Sequence, residues 1–486
     1  MPIFNDKTPY PLVHIVNQSD WKRVVSSCEG YLSIHDYIKL YEYLSQDVKT
    51  VFIEKGYIDK DYRDTYYNFY SKKFANYPNK TIRLHFFTTV IPPDDILILD
   101  KYQNQYVGFS VIRPTRINTI GRTILDPSKI SNLNGHICST DYKVHIFGAE
   151  LNINGFPYIS QDTDVTVCAH AACWMVFRYF SERYTSYAEV LPFEVSQLTE
   201  NLSYGRLVPS KGLYLSQIAE MFSKFGFFPE IYIRDSYKRN FDKLLYYYIE
   251  SGLPVVAGLN KHSHAITILG HFSDYRKNVL DNSVEYVDGF IINDDNYLPY
   301  QKLLRRKTGG DGYCSEFNVE DIDSFVVPLY EKIYFSAEYV ESTVEAVLND
   351  NTFGINALSK LIRKENIIKR IFLTSSKSYK AQRRKQDLPF NLSSAYCTLD
   401  MPKFIWVCEL SVNEFYQKGE IVGEIIFDAT ANHHDRFAFL SIHYPDFILL
   451  NDRNYLTNDP KRFLSGNLKE ESLQSYPLYK NNLKEI

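Results

Sequence analysis

Cys168 stands where a short extended lead-in, Gln161 to Val167, turns into the apolar run AHAACWMVFRYF. Nearly a hundred positions later, His264 opens HAITILGHF, which reads as a buried strand. A thiol at a helix start has its thiolate favoured by the positive end of the dipole and by free backbone N–H groups. An imidazole beside it can hold the proton, which gives an activated nucleophile. Asp294, at the end of the following strand DGFIIND, can orient that imidazole and stabilise its charged form. Gln161 can donate its side-chain amide to a developing oxyanion, together with the backbone N–H of Cys168. In this arrangement Cys168 attacks a carbonyl, while His264 takes the proton and returns one to the leaving group.

Each role has an alternative in the chain. His262, two residues before His264, would share its face on one continuous strand and could replace it as the base. Asn293 and Asp295 share the other face from Asp294, and either could orient the imidazole instead. A lone buried Cys is commonly inert core, and Cys173 shows that the same helix accepts such a residue. His170 reads as local packing. Cys168, His170 and Cys173 could join His262 or His264 around zinc. Their tight C-x-H-x-x-C run lacks the paired C-x-x-C spacing of structural zinc sites, so neither metal nor other cofactor is expected. His433 and His434 are adjacent and would diverge on a strand, a poor chelate. Arg113, Arg116 and Arg122 gather beside Gly121 and could hold a small anion, but basic loop residues are ordinary surface features, and a solvated loop is expected there.

The elements that must position these residues read as follows. Ser19 to Phe74 has helical spacing, with Asp20 as a cap and Tyr37, Leu40, Tyr41 and Leu44 on one face. From about Thr81, IRLHFFTTV, DILILD and YVGFSVIR suggest a strand and a hairpin, with further strands in YKVHIFGAELNING. The helix after Cys168 is apolar nearly all round and so must be buried. PFEVSQLTENL and GLYLSQIAEMFSKFGF form a helical pair, the second stopped by Gly226. EIYIR is a strand, NFDKLLYYYIESG a helix, and LPVVAGLN, HAITILGHF and DGFIIND three strands. Helices followed by runs of strands, without strict alternation, predict an α+β fold with an antiparallel sheet. Beyond Val327, SAEYVESTVEAVLND and INALSKLIRKENIIKRIF read as helices and SSKSYKAQRRKQDLPFN as a polar connection. FIWVCELSV, GEIIFDA, RFAFLSIHY and FILLND read as strands. The tail from about Asn458 is polar and expected over the surface.

Composition bounds the function. At 486 residues the chain is too long for one ordinary core. The formal charge of -4 argues against a general nucleic-acid or anionic-membrane binder. Seven scattered Cys form no disulfide framework and fit a reducing compartment. The N-terminus does not read as a signal peptide, and no window is apolar for long enough to span a membrane, so the expected location is the cytoplasm. Phosphate-binding G-x-x-x-x-G-K-[ST] and G-x-G-x-x-G loops and a G-x-S-x-G elbow are all missing from the sequence.

Between about Pro157 and Pro299, roughly a third of the chain, the sequence resembles the C39-like branch of the papain-like cysteine peptidases. CAHAACWM resembles the Cys-Gly-Pro-Ala helix start of that branch, and GLYLSQIAEMFSKFGF the helix that follows. LPVVAGLNKHSHAITILGHF resembles its paired strands, with the catalytic His opening the second, and FIINDDNYLPY the strand that ends in Asp-Pro. The chain departs from the pattern at Ala169-His170, where the family has Gly-Pro, and at Asp295, where it has Pro. Gln161 is also one residue further from the Cys than the papain spacing. The resemblance implies a papain-like core, a helix bundle packed on an antiparallel sheet, over residues 151–328. Cys168, His264 and Asp294 would be its triad and Gln161 its oxyanion donor. Residues 1–150 and 329–486 would be N- and C-terminal α+β extensions that shape the cleft or bind a protein partner. The expected activity is hydrolysis of a peptide or isopeptide bond in a protein or peptide substrate, with no nucleic acid or membrane as partner. The alternatives are transamidase or acyltransferase chemistry at the same thiol, or an inactive scaffold acting as a binding protein.

Overall fold

The computed structural model describes residues 12–28, 30–162, 164–198, 212–305, 313–386, 388, 390–432, 435, 438–452, 462–468, 473–480 and 482–486. His433 and His434, and the end of the expected helix PFEVSQLTENL, lie outside them.

The fold is mixed α+β, built on three sheets whose strands pair antiparallel, save the pair Gln301–Leu304 with Cys314–Asn318. The first sheet runs in chain order through Leu12–His14, Thr50–Tyr57, Thr81–Phe87, Tyr106–Ile112 and Ile120–Leu125. Trp21, Val24, Leu40 and Leu44 of the two leading helices join the core on one side. On the other side Phe52, Phe87 and Phe109 pack with Val144, Leu151 and Ile153 of the hairpin Thr140–Gly155. The sheet is thus covered on both faces, which is why its strands are buried along most of their length.

The central sheet carries the site residues. Across it lie Cys314–Asn318, Gln301–Leu304, Val287–Asn293, His264–Ser273, Val255–Leu259, Ser324–Leu329 and Phe228–Ile233. The helix Cys168–Arg183 packs on the strand His264–Ser273, where Thr267 Oγ1 donates to the Ala172 carbonyl at 3.2 Å. Helix Leu215–Lys224 ends before Gly226 at φ +99, and Phe241–Glu250 before Gly252 at φ +77, the left-handed positions that stop a helix. The third sheet holds six strands, from Ile368–Ser375 to Arg462–Asn467. One connected cluster of buried apolar residues extends from Val13 to Leu449 and joins all three sheets. Among the described residues no helix is long and apolar enough to cross a membrane.

Several elements differ from the sequence reading. Thr50–Tyr57 is a strand within the stretch read as helical; its buried start, Thr50 to Phe52, pairs on both sides. DILILD is not a strand but part of the 3-10 turns Pro93–Gln105, entered through two prolines with Leu97 exposed and Leu99 buried. INALSKLIRKENIIKRIF breaks into the short helix Ile355–Leu358, a 3-10 turn and the strand Ile368–Ser375. SSKSYKAQRRKQ, read as a connection, holds the helix Ser376–Arg383, capped by Ser375. The C-terminal residues do not simply overlie the surface. Leu483–Glu485 pairs with His136–Cys138, which in turn pairs with the strand His264–Ser273.

Candidate active site

Cys168 is the first residue of its helix and is partly exposed, while the helix beyond it is buried through Phe180. No side-chain oxygen caps this end, because the N-cap residue is Val167. The turn before it is organised by Asp162, whose Oδ1 accepts from the backbone N–H groups of Val165 and Thr166 at 2.8 Å each. Asp162 therefore fixes the lead-in to the helix.

His264 is the first residue of its strand, with only 8% of its side chain exposed. Its Nε2 donates to Asp294 Oδ1 at 2.9 Å, and Asp295 Oδ1 lies 3.8 Å from the same nitrogen. The Cys168 thiol is close enough to the ring to favour its charged form. With Nε2 committed to Asp294, Nδ1 is the nitrogen not engaged by a carboxylate. Burial alone would strip the proton from His264, but the hydrogen bonds to Asp294 and Cys168 and the carboxylate charges outweigh it. The imidazole's pKa is pushed up to about 11, so it is charged at neutral pH.

Asp294 lies directly after its strand, fully buried, and its Oδ1 also accepts from the Asn296 backbone N–H at 2.9 Å. The turn that follows is held from several sides. Tyr158 donates its hydroxyl to the Asp295 carbonyl at 3.1 Å, and Tyr43, from the second helix of the chain, donates to the Pro299 carbonyl at 2.5 Å. Asn293 donates to the Pro157 carbonyl at 3.2 Å and accepts from the Tyr300 N–H at 2.9 Å. Burial and the charge of Asp294 push Asp295 up to about 7, against the pull of His264.

Of the residues singled out in the sequence, the structure brings Cys168, His264 and Asp294 into one cluster. Gln161 reaches it through its amide, which donates to Asn296 Oδ1 at 3.1 Å. His262 is not on the strand. It lies in a 3-10 turn, exposed, and pairs with Asp321 at 3.7 Å. Ser263 between the two, at φ +50, breaks the alternation that would have put both imidazoles on one face. His170 is buried and held neutral, its pKa pushed down by burial to about 4, and its Nδ1 accepts from the Val167 N–H at 3.5 Å. Cys173 is buried and its thiol pushed up by burial, as suits an inert core residue. Arg113 is no solvated loop residue either. Its Nη2 clamps the carbonyls of Asn118, Ile120 and Ser160 at 2.8, 3.1 and 3.0 Å.

Two neighbours had no signal in the sequence. Phe317, on the strand Cys314–Asn318, sets its ring 5.8 Å from His264 and 4.8 Å from His262. Lys39, on the second helix, is half-buried, pairs with Asp36 at 3.7 Å, and lies close enough for Asp294 and Asp295 to act on its charge. Both come from distant parts of the chain, where no local pattern points to the site.

No protein-family model, curated protein or solved structure matches the chain. The functional reading rests on the geometry above.

Proposed function

We propose that the protein is a thiol hydrolase with a papain-like core, which cleaves a peptide or isopeptide bond in a cytoplasmic protein or peptide substrate. The observation that carries this is the imidazole of His264, bonded through Nε2 to Asp294 and close enough to a helix-terminal thiol for that thiol to favour its charged form. An imidazolium beside a sulfur at a helix start is the setting in which a thiolate is favoured. In acylation the Cys168 sulfur bonds to the carbonyl carbon, the C–N bond breaks, and His264 gives its proton to the departing amine. In deacylation His264 takes a proton from water, the hydroxide bonds to the thioester carbon, and the S–C bond breaks to return the sulfur. The first N–H groups of the helix and the amide of Gln161 supply donors for the oxyanion in both steps. The flanking units would shape the cleft or dock a protein partner; Tyr43 and Lys39 show how the first already reaches the Asp294 turn.

The test is site-resolved alkylation with iodoacetamide at neutral pH. Cys168 should react at least about tenfold faster than Cys314, a second partly exposed thiol, and His264→Ala should remove the advantage. Total labelling that is unchanged in Cys168→Ala, or equal rates at the two thiols, would reject an activated Cys168. Once a substrate is found, added amines that divert the product would turn the hydrolase into a transamidase.

A further inference from the structure

Asp294 and Asp295 are both buried, and three of their four carboxylate oxygens meet no hydrogen-bond donor among the described residues: Asp294 Oδ2 and both of Asp295. The Gln161 backbone N–H lies near Asp295 but outside hydrogen-bond geometry. Lys39 is the nearby ammonium, and its ion pair is with Asp36. Buried polar atoms are nearly always partnered, so bare buried carboxylate oxygens ask for a proton, a water or an ion.

The distances admit an ion. His264 Nε2 is 2.9 Å from Asp294 Oδ1 and 3.8 Å from Asp295 Oδ1, and one donor atom from each residue lies within 4.8 Å of the other two. Donors at the usual bond length from a tetrahedral zinc ion stand ~3.3 Å from one another, between those two separations. The geometry points to a site for one divalent first-row transition ion, held by His264 Nε2 and the carboxylates of Asp294 and Asp295. One imidazole with two carboxylates suits Zn2+, Co2+, Mn2+ or Fe2+, with the remaining position open to water.

Binding exchanges a proton for the metal. The Nε2 proton leaves to solvent, Nδ1 keeps its own, and Asp294 turns from orienting the ring to ligating the ion. A ring fixed by metal on one nitrogen and a proton on the other cannot accept the thiol proton. The site would therefore switch the thiol chemistry off, a consequence that rests on the proposed hydrolase, whereas the site itself does not.

Titration of the full-length, chelator-stripped chain with Co2+, followed by visible absorption and with Zn2+ as competitor, tests the proposal. The expected result is one ion per chain with a nitrogen–oxygen ligand spectrum, retained in Cys168→Ala. Asp295→Asn should weaken binding by more than about tenfold, the lower end of what even a lost outer partner costs. Asp294→Asn is the second removal, and either variant suffices if it folds. No saturable binding by the wild-type chain, or equal binding by a folded Asp295→Asn, overturns the site. A sulfur-to-cobalt charge-transfer band that vanishes in Cys168→Ala puts the metal on the sulfur and overturns this ligand set. Cys168 alkylation in chelator is read separately. Slow alkylation with intact cobalt binding removes the hydrolase and leaves the metal site, and fast alkylation without cobalt binding does the reverse.

Discussion

Asn293 and Asp294 are neighbours in the chain with different partners, and this separates their roles experimentally. Asp294 touches His264, whereas Asn293 ties the start of the turn to Pro157 and Tyr300. Asp294→Ala should slow Cys168 alkylation at neutral pH by about tenfold or more, because the imidazole loses both its orientation and its partner charge. Asn293→Ala should leave that rate near wild type and cost about 1–3 kcal/mol of stability in urea unfolding, the price of stranding its buried partners. The reverse pattern would move the orienting role to Asn293. Three consecutive polar residues could not be ranked from sequence, because the strand ends at Asn293 and alternation no longer fixes where the next side chains point. His262 misleads for the same reason: its place opposite the sulfur assumed a straight strand through Ser263, and the backbone there is left-handed. Cys168 and His264 themselves were legible, since each begins a long element with a strong pattern.

The helix Cys168–Arg183 places its thiol only as well as its other contacts hold it. Thr267 fixes its middle to the strand of His264. Its second half is held by Arg178, fully buried, whose Nη2 bonds to Asp61 Oδ1 at 2.5 Å and which also pairs with Glu189. Asp61 comes from the helix Lys60–Asn68, so the first unit of the chain anchors the helix that carries the thiol. Asp61→Ala should destabilise the protein by about 3–5 kcal/mol, because it strands part of a buried guanidinium. Denaturant unfolding checks this, and a change under about 1 kcal/mol would show that Glu189 and Glu182 suffice for Arg178. Such a tie was invisible in sequence, where Asp61 and Arg178 are merely two charges far apart. The elements that were legible are those whose pattern is long and whose stop is local, such as Phe241–Glu250 before Gly252. INALSKLIRKENIIKRIF has helical periodicity, yet its end is drawn into an eight-residue pairing with Phe404–Ser411, and tertiary pairing overrides propensity there.

Across the described residues, four imidazoles pushed down by desolvation set how the molecule should respond to acid. Burial pushes His85, His136, His170 and His443 down to about 4 each, from an ordinary value of 6.5. A depressed imidazole is neutral in the fold and charged in the unfolded chain once the pH drops below 6.5. Its contribution is therefore intact above 6.5 and is lost as the pH falls toward 4. At roughly 1.4 kcal/mol per pH unit each group forfeits about 3 kcal/mol across that window. Asp295 opposes them: it is pushed up to about 7, so the fold takes its proton earlier than the unfolded chain does and gains as the pH falls through 7. Asp59, Asp64 and Glu230 are pushed up by burial too and act in the same direction, which narrows the net loss. Glu250 acts lower still. Burial works against its charge, but Arg370 and His271 hold it down at about 2, so its contribution persists to well below pH 4. Total stabilities of single-core proteins are about 5–15 kcal/mol, so the loss at the imidazoles is of the same order as the stability of such a core. Acid titration followed by tryptophan fluorescence and circular dichroism should show a cooperative transition between about pH 6.5 and 4. It should come before any loss from the Glu250 pair, and a fold intact below pH about 4 would refute the assignment of these four imidazoles as neutral in the fold.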